Sequence, residues 1–227
     1  MFGRESVFAA TMLAALALGS VAAAQWPDDP AQNLVIVDRP SEQVVPKVAA
    51  GAGGGCYVSW FDLSSGNYDV YLQRLDGEGV EQWPHGGILI SNHPQLSSLV
   101  DWDLIADSGD NAVLVFTDAR DGSDLDVFAY KIAPDGSFVW GPDGVTLSSN
   151  DDYEPSPVVT EATDGDLVFV WARLPDSSGG SLMMQRLSPA GQVRFTPGGI
   201  PVEAPPGEKP AFVDIVPATG GDVILSW

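Results

Sequence analysis

The sequence predicts an all-β fold built from β-propeller-type repeats, and three observations lead to this prediction. An aromatic residue recurs with separations of 55 or 56 residues, at Trp60, Phe116, Trp171 and Trp227. Short apolar runs alternate with turns rich in Gly, Pro, Asp and Asn, which is typical of strands joined by hairpins. After the first 24 residues, no apolar run at helical spacing is free of Gly or Pro.

Each repeat is expected to contain four strands. In the first repeat they are predicted at residues 44–49, 56–62, 69–75 and 80–83, and residues 88–91 lead out towards the next repeat. Four strands in about 55 residues match one propeller blade. The second strand of each repeat is apolar almost throughout, as a strand packed between two neighbouring blades requires. Further recurring positions are an aromatic at Trp83, Trp140 and Phe195, and glycines at Gly79, Gly136 and Gly191 and at Gly87, Gly144 and Gly199.

The repeats divide the chain into units. Residues 1–24 are predicted to be a signal peptide, because Arg4 precedes an apolar stretch that ends in the small-residue pattern of Ala22 and Ala24. An uncleaved membrane anchor is the alternative, since this stretch is barely long enough to span a bilayer. The mature units are an N-terminal segment with a closing strand at 25–41, blade 1 at 42–92, blade 2 at 93–149, blade 3 at 150–203 and the start of blade 4 at 204–227.

The number of blades leads to a further expectation. Three four-stranded blades plus the start of a fourth fall short of the 4 to 8 blades of a closed propeller. The sequence therefore predicts a truncated propeller, or an oligomer if the chain is complete. In a closed ring, the strand expected at residues 34–37 would pair with the last blade.

The charge of the chain excludes one class of partner. Its 31 acidic and 10 basic side chains give a net charge of -21. Because nucleic acids and anionic membranes repel such a chain, we expect no nucleic-acid partner. After cleavage of the signal peptide no membrane span is predicted, so the expected location is extracellular or periplasmic.

The recurring phrase resembles the W-x-D…G-x-x-D-[IV]-Y-x-Q-[RK] repeats of secreted bacterial β-propeller proteins. The phrase comprises Trp60, Phe61, Asp62, the run Asp69–Leu75, Gly79, Trp83 and Gly87. Such proteins are often large and attached to C-terminal surface-sorting domains, so the resemblance implies a surface module and no particular activity. It covers about residues 33–227, and the third repeat departs from it with Arg173 and Ser181 in place of the two carboxylates.

Carboxylates beside the hairpin between the second and third strands are the candidate metal ligands. They are Asp62, Asp69, Asp118 and Asp126, with Asp121 and Asp124 between the last two. Together they could offer oxygen ligands to Ca²⁺, which takes 6 to 8 of them. The alternative, which the sequence favours, is that each Asp bonds to backbone amides of its own turn. No EF-hand or nonapeptide calcium spacing is present, and no other cofactor is predicted.

The remaining chemically active side chains fit structural roles. His85 and His93 lie in a Pro-containing loop without further zinc ligands, and Cys56 lies in an apolar run typical of a buried strand. A basic residue recurs at Arg74, Lys131 and Arg186. This pattern favours ion pairs with nearby carboxylates over a ring of cations for an anionic ligand, because a position repeated in every unit usually serves the packing of the repeat.

Two tryptophans, Trp26 and Trp102, fall outside the recurring positions identified so far. They are therefore candidates for an exposed surface that stacks on carbohydrate, although a packed role is the commoner one.

The predicted function is that of an exported, non-catalytic β-propeller repeat protein, which binds a protein or glycan surface or forms a cell-surface scaffold. No catalytic residue is assigned. The alternative is the propeller domain of a secreted polysaccharide-acting enzyme whose site lies mainly in other blades. Carboxylates clustered at the axial ends of strands in further blades would favour that enzyme.

Overall fold

The chain forms antiparallel β-sheets, as the sequence predicts. The computed structural model describes residues 26, 29, 31–95, 101–120, 122, 124–175, 180–203 and 213–227. Three four-stranded sheets and one two-stranded hairpin make up the described fold. The predicted signal peptide at 1–24 and the calcium candidate Asp121 lie outside the described residues.

The strands of each sheet follow one another in the chain. Sheet 1 contains β1 (Gln43–Ala50), β2 (Cys56–Asp62), β3 (Asp69–Leu75) and β4 (Ile88–Ser91). Sheet 2 contains β5 (Asp103–Ala106), β6 (Ala112–Asp118), β7 (Asp126–Ile132) and β8 (Val145–Thr146). Sheet 3 contains β9 (Val158–Glu161), β10 (Leu167–Arg173), β11 (Ser181–Leu187) and β12 (Ile200–Val202), and the hairpin contains β13 (Asp214–Pro217) and β14 (Val223–Ser226).

The first strand of every sheet lies innermost. Strand β1 contacts β5, β5 contacts β9 and β9 contacts β13, whereas the last strands β4, β8 and β12 lie at the other edge of their sheets. Sheets that meet along their first strands and fan outwards are blades around an axis. The predicted propeller-type repeat, with three blades and the first hairpin of a fourth, is thereby confirmed.

The core lies between the sheets. In β6, Leu114 and Phe116 belong to the apolar cluster shared with sheet 1, whereas Val113 and Val115 belong to the cluster shared with sheet 3. Successive side chains of a strand point to opposite faces. A blade between two others therefore needs apolar residues on both faces, which explains why these second strands are apolar almost throughout.

The fourth strand of the first blade differs from the prediction. Residues 80–83 form only an isolated bridge between Glu81 and Leu75, and the fourth strand is β4, predicted as a connection to the next repeat. The chain turns back at Gly87, which has a φ of 71° and whose Cβ, if present, would collide with the carbonyl oxygen of Leu72. The recurring glycine therefore allows the chain to leave β3 and return to pair with it.

The segment expected as a closing strand is not paired in any sheet. Residues 34–37 have no strand assignment. The side chains of Leu34 and Ile36 instead pack against Val58 and Trp60, on the face of sheet 1 that is turned away from sheet 2. This segment covers apolar surface that a preceding blade would otherwise bury.

Neighbouring blades are joined by a tryptophan that recurs with the repeat. The indole N–H of Trp83 donates to the carbonyl of Pro134 at 3.2 Å, and that of Trp140 donates to the carbonyl of Pro189 at 3.1 Å. Each ring also lies over a glycine of the next blade, so a Cβ on Gly191 would lie 2.7 Å from Trp140 Cδ1. The recurring aromatic of one blade thus contacts the recurring glycine of the next blade.

Trp26 belongs to this series, contrary to the expectation that it lies outside the repeat. It precedes Trp83 by 57 residues, the same interval that separates Trp83 from Trp140. Its indole donates to Gly77 at 3.0 Å, and a Cβ on Gly79 would lie 2.8 Å from its ring. Trp26 therefore makes with the first blade the contact that the other two tryptophans make with the second and third.

Trp102 is also packed rather than available for stacking on carbohydrate. Its side chain is 1 % exposed, and its ring meets Phe61 edge to face at 5.4 Å between centroids. Its indole donates to the carbonyl of Val45 at 3.0 Å. The expectation of an exposed surface at Trp102 is therefore wrong.

The contact between tryptophan and glycine predicts the effect of Gly191→Ala. The positive φ of 81° should cost about 1–2 kcal/mol, and the clash with Trp140 should add about 1–3 kcal/mol. Gly66→Ala is the matched control, because Gly66 has a φ of 92° and no atom near its missing Cβ. Urea unfolding measures both variants. Equal losses of stability would show that the ring does not need the glycine.

Candidate functional site

Each blade has two rims of different chemistry. Gln43 pairs with Asp62, and Asp62 pairs with Asp69, so the start of β1 and the hairpin between β2 and β3 lie at the same end of sheet 1. We call this end of the blades the upper rim. The opposite end, where Arg74 and Lys131 lie, is the lower rim.

The recurring basic residues of the lower rim form ion pairs, as predicted. Arg74 pairs with Asp110 of the next blade at 2.9 Å, and Lys131 pairs with Asp107 of its own blade at 2.7 Å. Lys131 also donates to the carbonyl of Pro189 in the third blade at 3.3 Å. These cations neutralise carboxylates and link adjacent blades, so they do not form a ring that faces an anionic ligand.

The third cation of this series extends the pattern to the last hairpin. Arg186 pairs with Asp166 at 3.0 Å and with Asp164, and it donates to the carbonyl of Gly221 at 2.9 Å. The lower rim is therefore stabilised in every described blade by an ion pair of the recurring basic residue.

On the upper rim of sheet 1, a buried carboxylate holds an arginine. Asp62 is fully buried and accepts hydrogen bonds from Ser64, from the Trp60 indole at 3.4 Å and from Arg39 at 3.3 Å. Burial opposes ionisation of Asp62, but these hydrogen bonds outweigh it and lower its pKa. The guanidinium of Arg39 lies 3.9 Å above the ring of Tyr71 and donates to the carbonyl of Gly86 at 2.8 Å.

Sheet 2 repeats this arrangement with an arginine from another position. Arg120 donates to both carboxylate oxygens of buried Asp118, at 2.9 and 2.6 Å, and to the carbonyl of Asp143 at 2.7 Å. Its guanidinium lies 3.6 Å above the ring of Phe128. We call this arrangement an arginine pocket. It consists of a buried carboxylate, a carbonyl before the recurring glycine and an aromatic ring on the third strand.

These contacts explain two of the calcium candidates. Asp62 and Asp118 bond to guanidinium groups and to their own turns, which favours the structural alternative for both. Asp69 accepts from the side chain of Asn67 at 2.9 Å, and Asp126 accepts from the backbone of Asn150 at 3.0 Å. Across the described ranges, no three His, Cys, Asp or Glu side chains are close enough together to hold a metal ion.

The upper rim of sheet 3 has a cavity where the other two blades have an arginine. Its volume is about 580 Å³, and Glu154, Arg173, Met183, Gln185 and Gly198 are among the residues that line it. Met183 occupies the position of Tyr71 and Phe128 on the third strand, and Gly198 occupies that of Gly86 and Asp143. The cavity is therefore the arginine pocket of the third repeat without its arginine.

The carboxylate of this cavity comes from the link between blades. Glu154 accepts from the Trp171 indole at 3.3 Å, from Asn150 at 2.7 Å and from Ser148. Trp171 and Trp60 occupy equivalent positions in their repeats. Glu154, which bonds to the Trp171 indole, therefore corresponds in position to Asp62, which bonds to the Trp60 indole. Burial of Glu154 raises its pKa, although the three hydrogen bonds and the positive charge of Arg173 oppose this shift.

Sequence reasoning missed Glu154, although a signal for it was present. The third repeat has Arg173 where the other repeats have an aspartate, and a buried tryptophan needs an acceptor for its N–H. Glu154 supplies that acceptor. Arg173 turns towards Asp152, with 2.6 Å between Nε and Oδ2.

Charged groups also lie on the innermost strands. Lys47 and Asp103 occupy equivalent positions on β1 and β5, and Lys47 pairs with Asp101 at 2.7 Å. Asp103 accepts from the backbone of Val159 on the next blade at 3.0 Å. Burial raises the pKa of Asp103 despite its hydrogen bonds to Val159 and Leu104.

The histidines and the cysteine lie apart from these sites. His85 pairs with Glu81 at 3.0 Å, and this hydrogen bond raises its pKa. His93 lies 3.8 Å from Asp143. Cys56 is the first residue of β2, and burial raises the pKa of its thiol, which disfavours a reactive thiolate.

Comparison with known proteins gives similarity at the level of structure only. The sequence matches no protein-family profile and no curated protein. An endo-arabinase from Bacteroides thetaiotaomicron is 14% identical, with 79% of this chain and 68% of that chain covered and a TM-score of 0.45. An α-L-arabinanase from Penicillium chrysogenum, complexed with arabinobiose, is 15% identical, with 77% and 55% covered and a TM-score of 0.48.

A thermostable family-43 glycoside hydrolase is 12% identical, with 72% of this chain and 55% of that chain covered and a TM-score of 0.44. These likenesses concern the fold alone. Within the described part of the chain, no helix has the length and apolarity needed to cross a membrane.

The arginine pockets predict different costs for two arginine substitutions. Arg120→Met leaves the buried carboxylate of Asp118 without its cation and should destabilise the chain by about 3–5 kcal/mol. Arg173→Met removes a partly exposed pair and should cost at most about 1 kcal/mol. Thermal and urea unfolding of both variants measure the difference. A loss of at most about 1 kcal/mol in Arg120→Met would mean that Arg120 is not a structural part of its blade.

Proposed function

We propose that the chain is the propeller part of an exported, non-catalytic binding module, and that the upper-rim cavity of sheet 3 is its binding site. The observation that supports this proposal is the cavity itself. It has a volume of about 580 Å³ and is lined by a buried carboxylate, an arginine, amides and hydroxyl groups. Concave sites with a few converging polar groups are the usual places where ligands bind.

The lining of the cavity favours binding over catalysis. Hydrolysis of a glycosidic bond generally uses two carboxyl groups that flank the bond. Among the described residues that line the cavity, Glu154 supplies the only carboxylate, and Asp152, which pairs with Arg173, is not one of them. Neither His85 nor His93 lines the cavity, so no imidazole is placed there as a general base.

Export is supported by the sequence of the first 24 residues. Their basic start, apolar stretch and small-residue end are the pattern of a signal peptide. The strongly negative charge keeps such a protein soluble and attracts cationic partners. A protein or glycan surface outside the cytoplasm is therefore the proposed partner.

Filling the cavity with a larger side chain tests this function. The chain without residues 1–24 is applied to arrays of glycans and of peptides, together with two variants. Val193 lines the cavity and is exposed, so Val193→Trp should obstruct it, whereas Val139→Trp introduces the same ring at an exposed valine that does not line it. We expect retention on a ligand to fall at least about tenfold in Val193→Trp alone. Absence of any ligand, or equal retention by both variants, would overturn the proposal.

A polysaccharide-acting enzyme is the second candidate, and the inner strands favour it. Asp103 has a raised pKa, and its neighbours include Lys47 and Asp101, which is an environment suited to a general acid. If the enzyme proposal is correct, the chain should release reducing sugar from a panel that includes arabinan and xylan. Asp103→Asn should abolish this release, and Asp135→Asn on the lower rim should not. No release by the unmodified chain would exclude the activity for this chain.

A further inference from the structure

We infer that the upper-rim cavity of sheet 3 is a binding site for a guanidinium group, supplied by a ligand in place of the arginine that fills the equivalent pocket in sheets 1 and 2. This inference rests on the proposed function, because it names the chemistry of the ligand for the same cavity. The ligand is either a peptide that presents an arginine side chain or free arginine, and the guanidinium is common to both.

The first argument is that the fold builds this site twice with its own side chains. Arg39 and Arg120 come from different positions in their repeats, one before β1 and one after β6. Both nevertheless bring the guanidinium to a buried aspartate, a carbonyl and an aromatic face. Two independent sources that converge on one place show that the blade geometry itself favours a planar cation there.

The second argument is that the third blade has no arginine at either of these source positions. The residue equivalent to Arg120 is Pro175, which has no side-chain donor. Tyr153 follows Trp140 by the same interval at which Arg39 follows Trp26. The nearest arginine, Arg173, bonds to Asp152 at the margin of the cavity. Arg173 therefore acts on Glu154 only through its charge, and among the described residues no hydrogen bond from a residue equivalent to Arg39 or Arg120 reaches the carboxylate in sheet 3.

The third argument is that the cavity retains its acceptor. Glu154 is 1 % exposed, yet its carboxylate lines the cavity and is anchored by Trp171, Asn150 and Ser148. A carboxylate has about four lone-pair sites, so these three donors leave about one, on Oε2, for an N–H of a guanidinium. Asp62 holds Arg39 through one such hydrogen bond. The anchoring fixes the carboxylate in place, so little side-chain entropy is lost when a ligand binds.

The chemistry of the site favours guanidinium over ammonium. A guanidinium is planar and more weakly hydrated, and its several N–H groups can reach a carboxylate and a neighbouring carbonyl together, whereas an ammonium is a compact and strongly hydrated charge. Met183 replaces the aromatic ring of the other pockets, and its flexible thioether makes room for a ligand while it still contacts a flat group. Arg173 at the margin could pair with the α-carboxylate of free arginine.

The experiment is a calorimetric titration of the chain without residues 1–24. The probes are N-acetyl-L-arginine methylamide, N-acetyl-L-lysine methylamide and free L-arginine. We expect the arginine derivative to bind at least about tenfold more tightly than the lysine derivative. Tighter binding of free L-arginine than of the blocked derivative identifies the amino acid as the source, and equal or weaker binding identifies an arginine side chain in a peptide.

Three variants make the test specific to the cavity. Glu154→Gln should weaken binding at least about tenfold, because it removes the charge and keeps the shape. Glu78→Gln is the matched control, since Glu78 is exposed on the lower rim. Val193→Trp places a bulky ring in the lining and remains informative if Glu154→Gln proves unstable in circular dichroism. Equal binding of the arginine and lysine derivatives, or unchanged binding by both Glu154→Gln and Val193→Trp, would overturn the inference.

Failure of this inference is distinguishable from failure of the proposed function. If the array ligand is lost in Val193→Trp while no arginine derivative binds, the cavity is a binding site for different chemistry. If neither experiment detects a ligand, both proposals are overturned.

Discussion

The contact between a tryptophan of one blade and a glycine of the next is the constraint on which the rest of the structure depends. Trp83 and Trp140 leave their own sheets, lie over Gly136 and Gly191, and bond to carbonyls of the following blade. Each repeat buries its apolar face only against a neighbour, as in other repeat proteins. The tryptophan fixes the position of that neighbour and so aligns the β-strands, the ion pairs of the lower rim and the pockets of the upper rim.

The proposed binding site lies where the third repeat differs from the first two. Sheets 1 and 2 complete the upper rim with an internal arginine, and the resulting pockets stabilise the blade. Sheet 3 keeps the carboxylate, through Glu154, but lacks the arginine, so an open cavity remains beside a buried charge. Burial disfavours the charged form of Glu154 and raises its pKa, although three hydrogen bonds and the charge of Arg173 oppose this shift. A cationic ligand would favour the charged form of Glu154, as Arg39 and Arg120 favour the charged forms of the aspartates in sheets 1 and 2.

The sequence predicted those parts of the structure that repeat at fixed intervals. The period of the aromatics predicted the blades, and the recurrence of Arg74, Lys131 and Arg186 predicted ion pairs. It did not predict the fourth strand, because the run at 80–83 resembles a strand but is diverted by the contact of Trp83 with the next blade. Glu154 was missed for a related reason, since a carboxylate from a link of variable length has no fixed place in the repeat. Trp26 could have been recognised from its interval of 57 residues to Trp83.

The most direct test of the coupling between blades is hydrogen–deuterium exchange of a Trp83→Ala variant. The account predicts that amide protection falls in β6 and β7 of sheet 2 as well as in β2 and β3 of sheet 1, because the tryptophan holds the two sheets together. Trp140→Ala serves as a control for loss of the same side chain, because Trp140 packs against the cluster between sheets 2 and 3 and its loss should leave the protection of sheet 1 unchanged. Loss of protection confined to sheet 1 in the Trp83→Ala variant would contradict the account.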